Sequence, residues 1–401
     1  MSGPATSRRA FLAGGLLTAV AVVAAGCGSP QDAATGGDAS SPLNVGIVYS
    51  QSGPLASYGR QYADGFKAGL AYATGGTGKV GGRDVTVTYA DDAGDPVKAV
   101  SAAKDLIGKG YRVLAGSTSS GVALQVAPLA ATNKVLFVSG PAAADDLTGL
   151  NRYTFRSGRQ SFQDVRTAQA YLGDGRKVLV FAPDSAFGKS NVAAVKAVLG
   201  QDGVTVSDIA VPATATDFTP FAGQVKAAKP DLVFVAWAGS TASAMWQALD
   251  QQGVLSSTTV VTGLDIHATW PAFGAGGAKL NLLAHYFDGA TDNPAQKALA
   301  QAVPGGRTDL FHPDGFAAAQ MIVHALEAGG ADTSVDKMIT ALEGYSFESV
   351  KGTLTVRAED HALLQPMFQA KLSGTGDAVD AAPVATVGAT DTAPPAAAMK
   401  G

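Results

Sequence analysis

The sequence predicts an α/β protein of two Rossmann-like lobes, each a mainly parallel sheet with helices on both faces. Three observations carry this. Short apolar runs of strand length alternate with segments of helical period along most of the chain. Glycine, at 49 of 401 residues, gathers between those segments, where turns are needed. The alternation runs through once, breaks at an irregular stretch near Arg156–Ser161, and starts again, which divides it into two sheets.

The chain opens with "SRRAFLAGGLLTAVAVVAAGC", Ser7 to Cys27. Arg8 and Arg9 form a basic start, Phe11 to Ala25 an apolar run, and the small residues Ala24, Ala25 and Gly26 precede the cysteine. That order reads as an export signal, and the apolar run falls short of the roughly 20 residues that span a bilayer. Cys27 is the only cysteine, so an internal disulfide and a multi-thiol metal site are both excluded. The stretch resembles a bacterial lipobox, with Ala24 where that pattern favours Leu. The resemblance implies that residues 1–26 are removed and that Cys27 receives a lipid; an uncleaved anchor and an ordinary secretory signal are the alternatives. "SRRAFL", with Arg8 and Arg9, also resembles a twin-arginine export signal. Residues 27–42 are small, polar and rich in Gly, Ser and Ala, the composition of a flexible tether. Loss of the two arginines takes the formal net charge from −4 to −6, which leaves no basic footprint for nucleic acid.

The body follows in order. "LNVGIVYS" (43–50) is an apolar run ending at turn residues, hence a buried strand. In "GRQYADGFKAGLAYAT", Ala63, Phe66, Leu70 and Ala73 recur at helical spacing. "GGTGKVGGRD" is a turn and "VTVTYA" an alternating strand. Asp95 then caps a helix whose first residue is Pro96 and which ends at Gly108 and Gly110. Strands follow near 113–115 and 135–138. After the break, "KVLVFAP", "GVTVSDIAVP", "DLVFVAW" and "STTVVTG" read as strands, with "NVAAVKAVLG" and "STASAMWQALDQQG" as helices between them.

In parallel sheets a ligand sits at the carboxyl ends of the strands, so the loops there are the candidate site. "GSTSSG" (116–121) lies between strand and helix; the hydroxyls of Ser119 and Ser120, with the free N–H groups of the helix start, suit a carboxylate. "SGPAAA" adds Ser139 and the bare backbone at Pro141 and Ala142. Asp265 in "TGLDIH" offers the opposite charge for an amine. Tyr58, Phe187 and Trp237 stand at loop or strand ends, where a lid over a ligand is built. Helix capping is the alternative role for the serines and Asp265, and core packing for the aromatics.

Taken together, "SGPLASYG", "DDAGDPVKAV", "GSTSSGVALQVAPLA", "FVSGPAAADDLTG", "DSAFGKS" and "VTGLD" are similar to the branched-chain amino-acid-binding family of ABC-transporter solute receptors. The resemblance implies a type I periplasmic-binding fold with a three-segment hinge. Lobe I would comprise residues 43–156 and 286–351, lobe II 157–285 and 352–390, and 391–401 a flexible tail. It further implies that a small amino acid, or a related carboxylate or amide, is held between closing lobes and passed to a permease driven by cytoplasmic ATPases. The receptor would stand lipid-anchored on the outer face of the cytoplasmic membrane. By the same resemblance Ser119 and Ser120 hold the carboxylate, Tyr58 and Phe187 cover the ligand, and Asp265 receives the ammonium. Ala143 stands where the family usually has Thr, and Trp237 where it commonly has a smaller residue or Tyr.

Other classes find less support. Asp91, Asp92 and Asp95 read as a solvated helix start rather than a metal site, and the five histidines show no ligand spacing. No nucleophile motif or phosphate loop points to an enzyme, and no cofactor is implied. A membrane-tethered sensor of the same fold, signalling to a partner, is the second reading.

Overall fold

The computed structural model describes residues 41–374 and 378–400. Arg8, Arg9, Cys27 and nearly all of the expected tether lie outside them.

The first half of the chain forms β1 (Leu43–Tyr49), α1 (Ala56–Ala73), β2 (Lys79–Val80), β3 (Arg83–Asp91), α2 (Pro96–Gly108), β4 (Val113–Gly116), α3 (Ser120–Thr132), β5 (Leu136–Ser139) and β6 (Thr154–Arg156). The strands pair in the order β2-β3-β1-β4-β5-β6, parallel except for the β2–β3 hairpin. Six of the seven β1 residues are buried, as a central strand covered on both faces requires. Asp95 caps α2 by accepting the N–H groups of Val97 (2.7 Å) and Lys98 (3.3 Å).

A second sheet is built from β7 (Lys177–Pro183), β8 (Thr205–Val211), β9 (Leu232–Val235), β10 (Thr259–Gly263) and β11 (Asn281–Ala284), all parallel. Between its strands run α4 (Ser161–Ala168, before β7), α5 (Ala186–Val198), α6 (Thr219–Ala228), α7 (Ala242–Gln251) and the short α8 (Val254–Ser257). The chain then returns to the first lobe through α9 (Pro294–Ala302), α10 (His312–Gly329), α11 (Val335–Leu342) and a small antiparallel sheet of β12 (Ser346–Ser349), β13 (Gly352–Val356) and β14 (Leu363–Leu364). Finally β15 (Met367–Ser373) and β16 (Asp380–Val387) extend the second sheet antiparallel, giving β16-β15-β11-β10-β9-β7-β8.

Each sheet has its own apolar core. Val45, Ile47, Phe66, Leu136, Met321 and Ile322 meet in the first, and Phe181, Val233, Met245, Leu249, Trp270 and Leu282 in the second. Burying one such aliphatic or aromatic side chain is worth about 1.5–3 kcal/mol, so each lobe holds its sheet rigid behind the cleft.

Two expectations are corrected. The third crossing does not fall at 351–352. Leu354, Val356 and Leu363 pack in the first core, because β13 pairs with β12, and the chain changes lobe between β14 and β15. Residues 391–400 do not form a loose tail. Thr392 is fully buried, its hydroxyl donating to the Gln365 carbonyl at 3.2 Å, and Ala397 N–H donates to Asp360 at 2.8 Å. The Ala/Pro-rich composition hides the reason: prolyl carbonyls 394 and 395 accept from the Arg357 guanidinium.

Candidate ligand site

A cavity of about 380 Å³ lies between the two lobes, walled by loops from the carboxyl ends of both parallel sheets. The strand orders explain the place. The first sheet reverses direction of assembly between β1 and β4, the second between β7 and β9, and crevices open at such switch points.

On the first lobe, Asp92 accepts the Ser50 hydroxyl and Asp91 accepts the N–H of Gln51, so the acidic pair fixes the loop that leads to Tyr58. The neighbouring loop crowds against β1. A Cβ at Gly116, where φ is +104°, would come 1.9 Å from the Val48 carbonyl oxygen, so only glycine lets the two strands end side by side. Ser119 stands at the N-cap of α3 but its hydroxyl makes no capping bond. The Ser120 hydroxyl oxygen accepts Ala144 N–H at 3.2 Å, leaving its own proton to give. Both serines line the cavity beside the helix N-terminus, a place that favours an anion.

Arg156 organises the adjoining loop. Buried at the end of β6, it donates to the carbonyls of Ala144 and Ala142, both at 2.8 Å, and of Arg159 at 2.9 Å. This loop corrects part of the expected site. Pro141 and Ala143 reach the cavity, whereas Ser139 and Ala142 do not line it. Ala142 turns its carbonyl to Arg156, and Ser139 sits behind the wall, its carbonyl accepting Ser157 N–H at 2.8 Å.

On the second lobe, Ser185 caps α5 by accepting Gly188 N–H at 3.1 Å, which presents Phe187 to the cavity. Trp237 follows β9; its ring stacks on Phe181 at 5.5 Å and meets Phe218 edge-on at 5.3 Å, and its indole N–H donates to Thr241 at 3.1 Å. Asp265 follows β10 with a left-handed φ of 61°. Its Oδ1 accepts the Tyr58 hydroxyl at 2.6 Å and Ile266 N–H at 2.7 Å, while the Tyr58 oxygen accepts Gly239 N–H at 2.9 Å. Tyr58 from the first lobe thus bridges to two groups of the second. Burial pushes the Asp265 carboxyl up to about 6 against those hydrogen bonds.

Of the residues expected at the site, Tyr58, Ser119, Ser120, Pro141, Phe187, Trp237 and Asp265 line one cavity. Sequence reasoning missed Arg159, Asp164, Asn191, Phe218, His285 and Phe311, which line it too. Arg159 matters most. Its guanidinium lies 3.3 Å from Asp164, donates to the Pro141 carbonyl at 3.0 Å and faces the Phe311 ring at 5.9 Å. Its only signal in the sequence is its place in the irregular stretch near Arg156–Ser161, where the first run of alternation breaks. Desolvation raises Asp164 to about 6 despite the arginine. Burial lowers His285 to about 4, so it is neutral at pH 7; behind it Asp314, paired with Lys351 at 3.1 Å, is held down near 2.

Comparison with known proteins agrees with this architecture. Residues 42–377 match the model of a family described as periplasmic binding protein. A Leu/Ile/Val-binding protein homolog from Brucella melitensis is 30% identical over 334 residues, covering 81% of this chain and 90% of its own. The Leu/Ile/Val-binding protein BraC3 of Rhizobium johnstonii is 29% identical, covering 78% and 87%. Among solved structures, an ABC-type branched-chain amino acid transporter protein from Rhodopseudomonas palustris superposes with a TM-score of 0.72 at 30% identity, over 88% of this chain and 99% of that one. A solute-binding protein from the same species, in complex with 4-hydroxybenzoate, shares the fold with a TM-score of 0.79 at 22% identity, over 87% and 97%. The two switch-point sheets, the cavity between them and this near end-to-end similarity place the chain in the periplasmic binding protein family, among the relatives of the Leu/Ile/Val-binding proteins.

Proposed function

We propose that the protein is an extracytoplasmic receptor that captures a small carboxylate with an apolar body between its lobes and hands it to an ABC permease. The observation that carries this reading is the composition of the cavity. Its wall combines the α3 N-terminus, the Ser119 and Ser120 hydroxyls and the Arg159 guanidinium with the rings of Trp237, Phe187, Phe218 and Phe311. Anion-binding donors and aromatic rings in one wall fit an anion with a hydrophobic body. Binding energy that depends on both lobes favours the closed arrangement, and no bond of the ligand need change. On this reading Cys27 is the lipid attachment point and Arg8 and Arg9 the export signal, which would keep the receptor beside its permease.

Asp265 separates two ligand types. Its Oδ1 already holds Tyr58, which supports a carboxylate without an ammonium group; the Leu/Ile/Val relatives support an amino acid whose ammonium meets the same carboxyl. Thermal unfolding of the protein against leucine, 4-methylpentanoate, 4-hydroxybenzoate and benzamide tests both. A ligand at 100 times its Kd should stabilise by about 2.7 kcal/mol. A shift with the acids and none with the amide supports the carboxylate reading. A shift with leucine alone assigns Asp265 to an ammonium, and a larger shift with benzamide than with any acid sinks the carboxylate reading.

A further inference from the structure

Three chain segments were expected to join the lobes, yet the chain passes between them once more. Strand β16 belongs to the second sheet, paired along its length with β15. From its end the chain turns at Gly388–Thr392, where Arg166 of α4 donates to the Asp391 carbonyl at 3.2 Å. Thr392 then touches Gln365, the residue at which the third crossing is made. Beyond it, among the described residues, the hydrogen bonds that leave this segment go to the first lobe. Arg357 donates to the Pro394 carbonyl at 2.7 Å and to that of Pro395 at 3.3 Å, Asp360 accepts Ala397 N–H at 2.8 Å, and Lys400 N–H donates to the Gly149 carbonyl at 2.9 Å. Arg357 and Asp360 are themselves paired through two bonds of 2.8 and 2.6 Å, and Gly149 N–H donates to the Asp360 carbonyl, so the anchorage is one connected patch. Its partner segment is stiff: two successive prolines fix their φ angles and offer carbonyls without competing N–H donors.

We propose that residues 388–400 are a strap, a fourth connection between the lobes that biases them toward the closed arrangement. The strap is held by ladder bonds and Arg166 on the second lobe and by Arg357, Asp360 and Gly149 on the first. A hinge rotation that moves these two anchorages apart must break the first-lobe bonds or drag the strap with it. Charge-assisted bonds to Arg357 and Asp360 make that separation costly. The strap shares no residue with the cavity wall, so it tunes opening without touching the ligand.

The full-length chain with Cys27→Ser, labelled at Lys98→Cys in α2 and Gln224→Cys in α6, reports the lobe-to-lobe distance by pulsed EPR without any ligand. The intact protein should give a dominant short distance. A chain ending at Thr392, and the full-length Arg357→Gln variant, should each raise the population of longer distances by roughly tenfold, as expected for the loss of one or two such bonds. Identical distance distributions in all three overturn the proposal. Hydrogen exchange on the unaltered chain gives a check that needs no variant: the amides of Ala397 and Lys400 should be protected, and exchange at open-chain rates would likewise overturn it.

Discussion

Asp265 is pulled in opposite directions by burial, which raises its carboxyl to about 6, and by the Tyr58 and Ile266 donors, which lower it. A carboxyl raised above its ordinary 3.8 holds its proton more firmly in the closed form than in an open, hydrated one. Ionised Asp265 therefore works against closure above about pH 6, and that penalty is relieved as pH falls from 6 towards 3.8. For a ligand without an amine, affinity should hold or rise between pH 7 and pH 5. For an amino acid it should fall, because the proton removes the ammonium's partner. Asp164 titrates in the same range, so the comparison that isolates the effect is isothermal titration of the Asp265→Asn variant, in which this part of the pH dependence should vanish. Ser119, Ser120, Phe187 and Trp237, which line the cavity, follow strands that periodicity marks, and Tyr58 follows the loop after the first of them. Arg159 and His285 come from the crossings between lobes. What they face depends on how a distant part of the chain returns, and no local pattern encodes that.

At the scale of elements, strands and helices were read correctly wherever apolar spacing met a strong stop, as at Asp95-Pro96. The errors lie where partner and composition disagree. The small β12–β14 sheet follows its ladder into the first core although its sequence offers no marker of the lobe it joins. The final segment is ordered by acceptors that proline supplies, though proline-rich composition predicts the reverse. Helix placement can itself be tested. A Cβ at Gly188 would come 1.9 Å from the Pro183 carbonyl oxygen. Gly188→Ala should therefore push the first turn of α5 off β7 and cost about 1–3 kcal/mol. Urea unfolding measures the loss, and weaker ligand binding should accompany it because Phe187 moves with the turn.

At the scale of the molecule, the two-sheet architecture followed from alternation alone, whereas the number of connections between lobes required coordinates. Among the described residues no helix is long and apolar enough to cross a membrane. Cys27→Ala should move the protein from the membrane to the soluble fraction on cell fractionation; unchanged membrane association would identify an uncleaved anchor instead.

The hydroxyl of Tyr58 reaches across the cleft to Asp265 and to the Gly239 backbone, so the protein supplies from its own chain part of what a guest would otherwise have to provide. Recognition then becomes comparative. A solute is registered only by what it adds to a contact already made, and solutes that merely fill space rank together. The one that also meets the donors of Ser119, Ser120 and Arg159 stands apart from the rest.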